Sequence, residues 1–229
     1  MRGAINDFVL GCKADGIWTS LVASCIMAGA RTVAGAITPL VGNAPTNNNF
    51  VSGDYSRKLG LLGNDTDKYL ATGYNNNDTT NFPQNDSHIS CYVSASQTDA
   101  SGTFVGGINL GSGNRMSLHY ATATQIGTRN RGSSASTFGV APIGFQGNTR
   151  NNSANFSRRF TTSGGISEAV LTSNSGTPAS ELLGVFAAGN GSNFSAARMS
   201  FYSIGKSLTL SSLDTRVTTL MNTLATVIA

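Results

Sequence analysis

Between Phe50 and Gly205 the chain is a succession of short runs rich in β-branched and aromatic residues, each closed by Gly, Asn, Ser or Asp. The runs fall at 50–51, 59–62, 69–71, 89–94, 103–110, 116–121, 124–129, 140–145, 156–162, 169–172, 183–187 and 198–204. A spacing of roughly 10–15 residues leaves no room for a crossover helix between consecutive strands, which excludes parallel βαβ units and predicts antiparallel sheets. The expected fold is an all-β sandwich of the jelly-roll kind, with helical additions at both ends.

Other properties bound this architecture. A chain of 229 residues is long enough for one large sandwich with its own core. Charged residues make up 11%, against about 25% in average soluble domains. The polar surface is therefore built largely from Asn, Ser, Thr and Gly. With 39% hydrophobic residues the chain has the means to bury a core, and order is expected throughout. Met1-Arg-Gly-Ala-Ile-Asn-Asp7 has no apolar signal core, and no run of about 18 apolar residues occurs, so membrane insertion is not expected.

The ends carry helical patterns. Ile5, Phe8, Val9 and Cys12, then Ile17, Leu21, Val22, Cys25 and Ile26, recur at three- and four-residue steps. They predict an N-terminal helical segment over 1–37, broken near Gly11 and Gly16 and stopped by Gly29. Residues 38–49, with Pro39, Pro45 and an Asn triplet, read as a connecting loop. The sandwich is expected over 50–205, with a polar, Asn-rich surface loop at 72–87. Over 206–229 an amphipathic helix is expected, with an apolar stripe of Leu213, Val217, Leu220, Met221, Leu224 and Ile228. Ser211 is placed to cap it, and Asp214 to sit in its first turn. The stripe must be buried against the sandwich, the N-terminal helix or a neighbouring subunit.

Net charge is +4, but it is unevenly spread: 101–167 contains no Asp or Glu and holds Arg115, Arg129, Arg131, Arg150, Arg158 and Arg159. On an extended strand Arg129 and Arg131 share a face, and Arg158 and Arg159 take opposite faces. Together with Tyr74 and Asn76 beside the Asn-rich loop, these four arginines are the candidate ligand-binding residues. Guanidinium groups and nearby aromatics suit a glycan, a lipopolysaccharide phosphate or an acidic protein partner, or else are solvated arginines over an aromatic core. Nucleic acid is not expected as a partner, because the charge is modest and no binding motif occurs.

Catalytic and metal signals are weak. Glu168 and Glu181 are far apart and show no paired-carboxylate spacing, so glycan cleavage is the least supported activity. His88 and His119 have no ligand-spaced neighbours and read as hydrogen-bonded strand histidines. The glycines of 106–113 are not followed by the Lys-Ser/Thr of a phosphate loop. Asn64, Asp65 and Asp67 offer oxygen ligands of the kind Ca²⁺ accepts, but turn chemistry explains them as well. Cys12, Cys25 and Cys91 are odd in number and lack metal spacing, which predicts small buried thiols. No catalytic group, metal or cofactor is expected.

Gly63-Asn-Asp-Thr-Asp-Lys-Tyr-Leu70, Ser87-His-Ile-Ser-Cys-Tyr-Val-Ser94 and Arg198-Met-Ser-Phe-Tyr-Ser-Ile-Gly-Lys-Ser-Leu208 resemble strands of concanavalin A-like, laminin-G-type jelly rolls. Asp7-Phe-Val-Leu-Gly-Cys-Lys-Ala-Asp-Gly-Ile-Trp18 and Phe50-Val-Ser-Gly-Asp-Tyr-Ser-Arg-Lys-Leu-Gly60 resemble structural proteins of tailed bacteriophages, including cyanophages. The resemblance implies a homo-oligomeric component of the phage virion, in contact with other virion structural proteins. Its implied role is a tail-fibre or receptor-binding module for host surface glycan, or alternatively a capsid decoration protein.

Overall fold

The computed structural model describes residues 1–95, 102–107, 114–122, 125–132, 136–139, 143–162 and 164–228. In chain order these form α1 (Arg2–Ala14), β1 (Leu21–Ile26), α2 (Val33–Ala36), β2 (Pro39–Val41), β3 (Thr46–Asn48), β4 (Tyr55–Ser56) and β5 (Gly60–Leu62). There follow β6 (Tyr69–Asn75), β7 (Ser87–Ala95), β8 (Thr103–Gly106), β9 (Met116–Thr122), β10 (Gln125–Asn130), β11 (Ser136–Gly139) and β12 (Gly144–Arg150). The chain ends with β13 (Asn155–Thr162), β14 (Gly165–Thr172), β15 (Leu182–Val185), β16 (Arg198–Gly205) and α3 (Leu210–Val227).

Two antiparallel sheets face each other. The larger runs β14-β13-β12-β7-β16-β1-β2, with β5 and β4 attached beside β16; the smaller runs β11-β10-β9-β8-β15-β6-β3. Alternation along the strands builds the layer between them: Met116, Leu118 and Tyr120 of β9 and Ile126 of β10 point inward and meet Ile89, Cys91 and Phe160 of the larger sheet. The expected sandwich is present. Residues 108–110, 124 and 140–142 of three expected runs lie outside the described residues.

A third layer covers the outer face of the larger sheet. Phe8 and Cys12 of α1 and Leu213, Val217, Leu220 and Leu224 of α3 pack with Phe145 and Phe201 into a second buried cluster. The α3 stripe is thus buried within the chain. Two ion pairs fasten the helices: Arg216 makes a bidentate contact with Asp15 at 2.8 Å through each nitrogen, and Arg159 Nε donates to Asp214 Oδ2 at 2.8 Å. Helix α3 starts after Thr209, so Ser211 lies inside it and is not its cap, and Asp214 is engaged by Arg159.

Three expectations are corrected. Leu21–Ile26 is a strand inside the larger sheet, between β16 and β2, so the helix of the first segment is confined to Arg2–Ala14 and the four-residue α2. The supposed connecting loop contributes β2 and β3, one to each sheet. The expected loop over 72–87 is shorter, because 72–75 belong to β6 and Ser87 opens β7, and the part between is anchored by the fully buried Phe82 and by Asp78, which accepts from the amides of Thr80 and Asn81. Cys12, Cys25 and Cys91 are free and buried; burial pushes the Cys12 thiol up to about 12 and that of Cys25 to about 11.

Candidate functional site

The polar groups that converge lie on the face of the smaller sheet turned away from the core. Since Met116, Leu118 and Tyr120 point inward, Ser117 and His119 point outward; on β10, Gly127 and Arg129 do the same. Register sets Gly127 opposite His119 and Arg129 opposite Ser117. Gly127 has no room for a side chain because the His119 ring occupies that space. Ser117 Oγ lies 3.2 Å from His119 Nδ1. Burial first, then the charges of Arg115 and Arg129, pushes the imidazole down to about 4, so His119 is neutral at neutral pH.

Glu181, just before β15, completes the cluster. Its carboxylate rests on Gly107, which likewise has no space for a Cβ. The Glu181 amide donates to Asn75 Oδ1 at 3.0 Å, which fixes the backbone that carries the carboxylate. Burial raises its pKa, while Arg115, Arg129 and Arg131 act in the opposite direction. Neither carboxylate oxygen accepts a hydrogen bond from the described residues. Glycines thus form the floor, with guanidinium donors and a carboxylate acceptor around it. Glu168 stands on β14 in the other sheet, ion-paired to Arg159, so the two glutamates do not meet.

The arginines picked out from sequence divide into two kinds. Arg129, on the outer face, belongs to this cluster. Arg131 does not: it lies beyond the end of β10, with a left-handed φ of 59°, and its side chain turns inward and is fully buried. It donates to the main-chain oxygens of Asn76 and Phe82 and so holds the Asn-rich segment. The expected shared face of Arg129 and Arg131 is lost because the strand ends between them. Arg150, also buried, serves similarly, donating to the carbonyls of Asn130, Asn152, Asn155 and Ser173.

Arg158 and Arg159 take opposite faces of β13. Arg158 points into the sandwich and stacks over Phe138 at 4.1 Å, a cation–π contact joining the two sheets. Arg159 points to the helices and is held by Asp214 and Glu168. Asn76 is fully buried, donating to the carbonyls of Asn114 and Ala179 and accepting from the Met116 amide. Tyr74 packs edge-on to Phe82 with ring centroids 5.6 Å apart. Arg131, Asn76, Arg158 and Arg159 are therefore committed to internal partners. Arg115, His119 and Glu181 escaped the sequence reading as a group because no local spacing links them.

At Asn64, the side-chain oxygen accepts from the amides of Thr66, Asp67 and Lys68, an ordinary Asx turn. Among the described residues no group of three His, Cys, Asp or Glu is arranged to hold a metal ion. No described helix is long and apolar enough to cross a membrane.

No protein-family model matches the chain, and no curated protein does. Among solved structures it is similar to the binding domain of botulinum neurotoxin DC, determined in complex with rat synaptotagmin II, with a TM-score of 0.56 and 13% identity. The match covers 90% of this chain and 52% of that one, so the chain spans about half the length of the structure it resembles. A likeness at this identity shows the sandwich fold.

Proposed function

We propose that the protein is a binding module of a bacteriophage particle, and that the outer-face cluster of Arg115, His119, Arg129 and Glu181 holds a host surface glycan. The observation that carries this reading is the Glu181 carboxylate, whose two oxygens are buried and accept no hydrogen bond from the described residues. An ionised acceptor withdrawn from water without donors is costly, and a ligand hydroxyl would relieve that cost. Arginine donors and a carboxylate acceptor over a glycine floor match a sugar edge, whose hydroxyls both donate and accept. With two guanidinium groups to one carboxylate the cluster keeps a net positive charge, so it offers complementary groups to neutral and acidic glycans alike. The binding-domain neighbour is consistent with a binding role, and the phage setting rests on the sequence resemblance.

Immunogold labelling of virions tests the setting. Label on the tail or fibres, with adsorption reduced by Arg129→Ala, is the expected result. Label spread over the head would replace this reading with capsid decoration, and absence of label from particles would overturn the virion assignment.

A further inference from the structure

Among the described residues the main paths of the two sheets end on four strands, and the two-residue β4 ends the side branch beside β5. Three of the four are short: β2 and β3 have three residues each and β11 has four, and β2 also carries Pro39. These are ordinary protections against edge pairing. The fourth, β14, has eight residues, none of them Pro or Lys, and among the described residues its one strand neighbour is β13. Ile166 is 57% exposed and Val170 68%, and both stand on its helix-side face with Glu168 between them. Ile143, also exposed, precedes β12, two strands inward. A long edge with unpaired backbone groups and exposed apolar side chains is a template for another strand.

We propose that β14 pairs antiparallel with β14 of a second copy, across a two-fold axis centred on Glu168, to make one continuous sheet through a dimer. The sequence of the strand selects this occupant and register. In an antiparallel pair, directly opposed residues share a face, so the axis must fall on a residue. Centred on Glu168, it sets Ile166 opposite the second copy's Val170 and Val170 opposite its Ile166, while Ser167 meets Ala169. Shifting the axis by one residue opposes Ile166 to Glu168, or Val170 to Glu168, and loses both apolar pairs. The two Glu168 side chains then meet at the axis, each held by an arginine, since Arg159 Nη1 lies 2.8 Å from Glu168 Oε2 while the Nε of the same arginine is held by Asp214. The inference does not depend on the glycan reading, but a dimer would present two copies of each glycan cluster to one host surface, raising avidity.

The test is sedimentation velocity on the whole chain over a range of concentrations, with cysteine cross-linking to fix the register. The wild type is expected to dimerise reversibly, and Val170→Lys, which changes one exposed side chain twice per dimer, to weaken the dimer about tenfold or more, with the melting temperature unchanged at concentrations where both are monomeric. Glu168→Cys should give a disulfide-linked dimer under mild oxidation. Ile166→Cys alone should not, but mixed with Val170→Cys it should. A wild type that stays monomeric, a dimer untouched by Val170→Lys, or a dimer that Glu168→Cys fails to link would each overturn the proposal.

Discussion

The guanidinium of Arg131 donates to the main-chain oxygen of Asn76, and both residues are fully buried. Two residues that the sequence offers as ligand contacts are thus partners inside the protein. Removing Arg131 strands two buried carbonyls, each lost partner costing about 1–3 kcal/mol. Arg131→Ala is therefore expected to destabilise by about 2–4 kcal/mol in urea denaturation, whereas Arg129→Ala, two residues away on the outer face, should change stability by less than about 1 kcal/mol. Equal losses from the two substitutions would contradict the division of the arginines into those that hold the Asn-rich segment and those on the outer face.

Helix α3 is fastened to the larger sheet by Asp214, whose side chain is 6% exposed and also accepts from Thr218 Oγ1 at 2.9 Å. Breaking a largely buried pair leaves Arg159 with its exposed partner Glu168. Asp214→Ala should cost about 2–3 kcal/mol. Amide exchange should accelerate first in Leu210–Val227, and a uniform change across both sheets would argue that the helix is no separate layer.

His88 makes stability acid-sensitive. The ring is enclosed between the carbonyl of Lys206 and Ser203 Oγ, and burial pushes its pKa down to about 4 from 6.5. As pH falls the unfolded chain takes up the proton first, so stability declines below about pH 6.5 and levels off near pH 4. The loss from His88 alone reaches about 3 kcal/mol, and His119 acts in the same direction. Melting temperatures across that range should show the decline, and His88→Gln should flatten it; an unchanged slope would mean that other groups cause it.

Burial also silences the thiols. Cys12, Cys25 and Cys91 are expected to resist a thiol reagent until the protein unfolds. Rapid labelling of the native chain at Cys91, fully enclosed on β7 between the sheets, would contradict the packing described.

The antiparallel sandwich and the α3 stripe were legible because period and turn residues express them directly. Strand β1 was not. Ala23 and Cys25 pack into the sandwich while Ile26 packs under the helices. A strand buried on both faces loses its alternation, and its apolar run then joins the helical rhythm of α1. The inward turn of Arg131 was hidden because it depends on a left-handed backbone and on carbonyls 49 and 55 residues away. Glu181 was visible only as an isolated acid; its nearness to Arg115 and Arg129 comes from pairing β15 with β8, and β8 with β9.

The most direct test of the account is a glycan array probed with the purified chain, followed by calorimetry on the best oligosaccharide with wild type, Arg129→Ala and Glu181→Gln. The predicted result is a weak, saturable interaction that either substitution reduces about tenfold or more, with folding unchanged. It should also fade in mild acid, above the ordinary carboxylate range, as the raised pKa of Glu181 is crossed and an acceptor is lost. Binding that survives both substitutions, or the absence of saturable binding to any glycan, would contradict the assignment of this cluster.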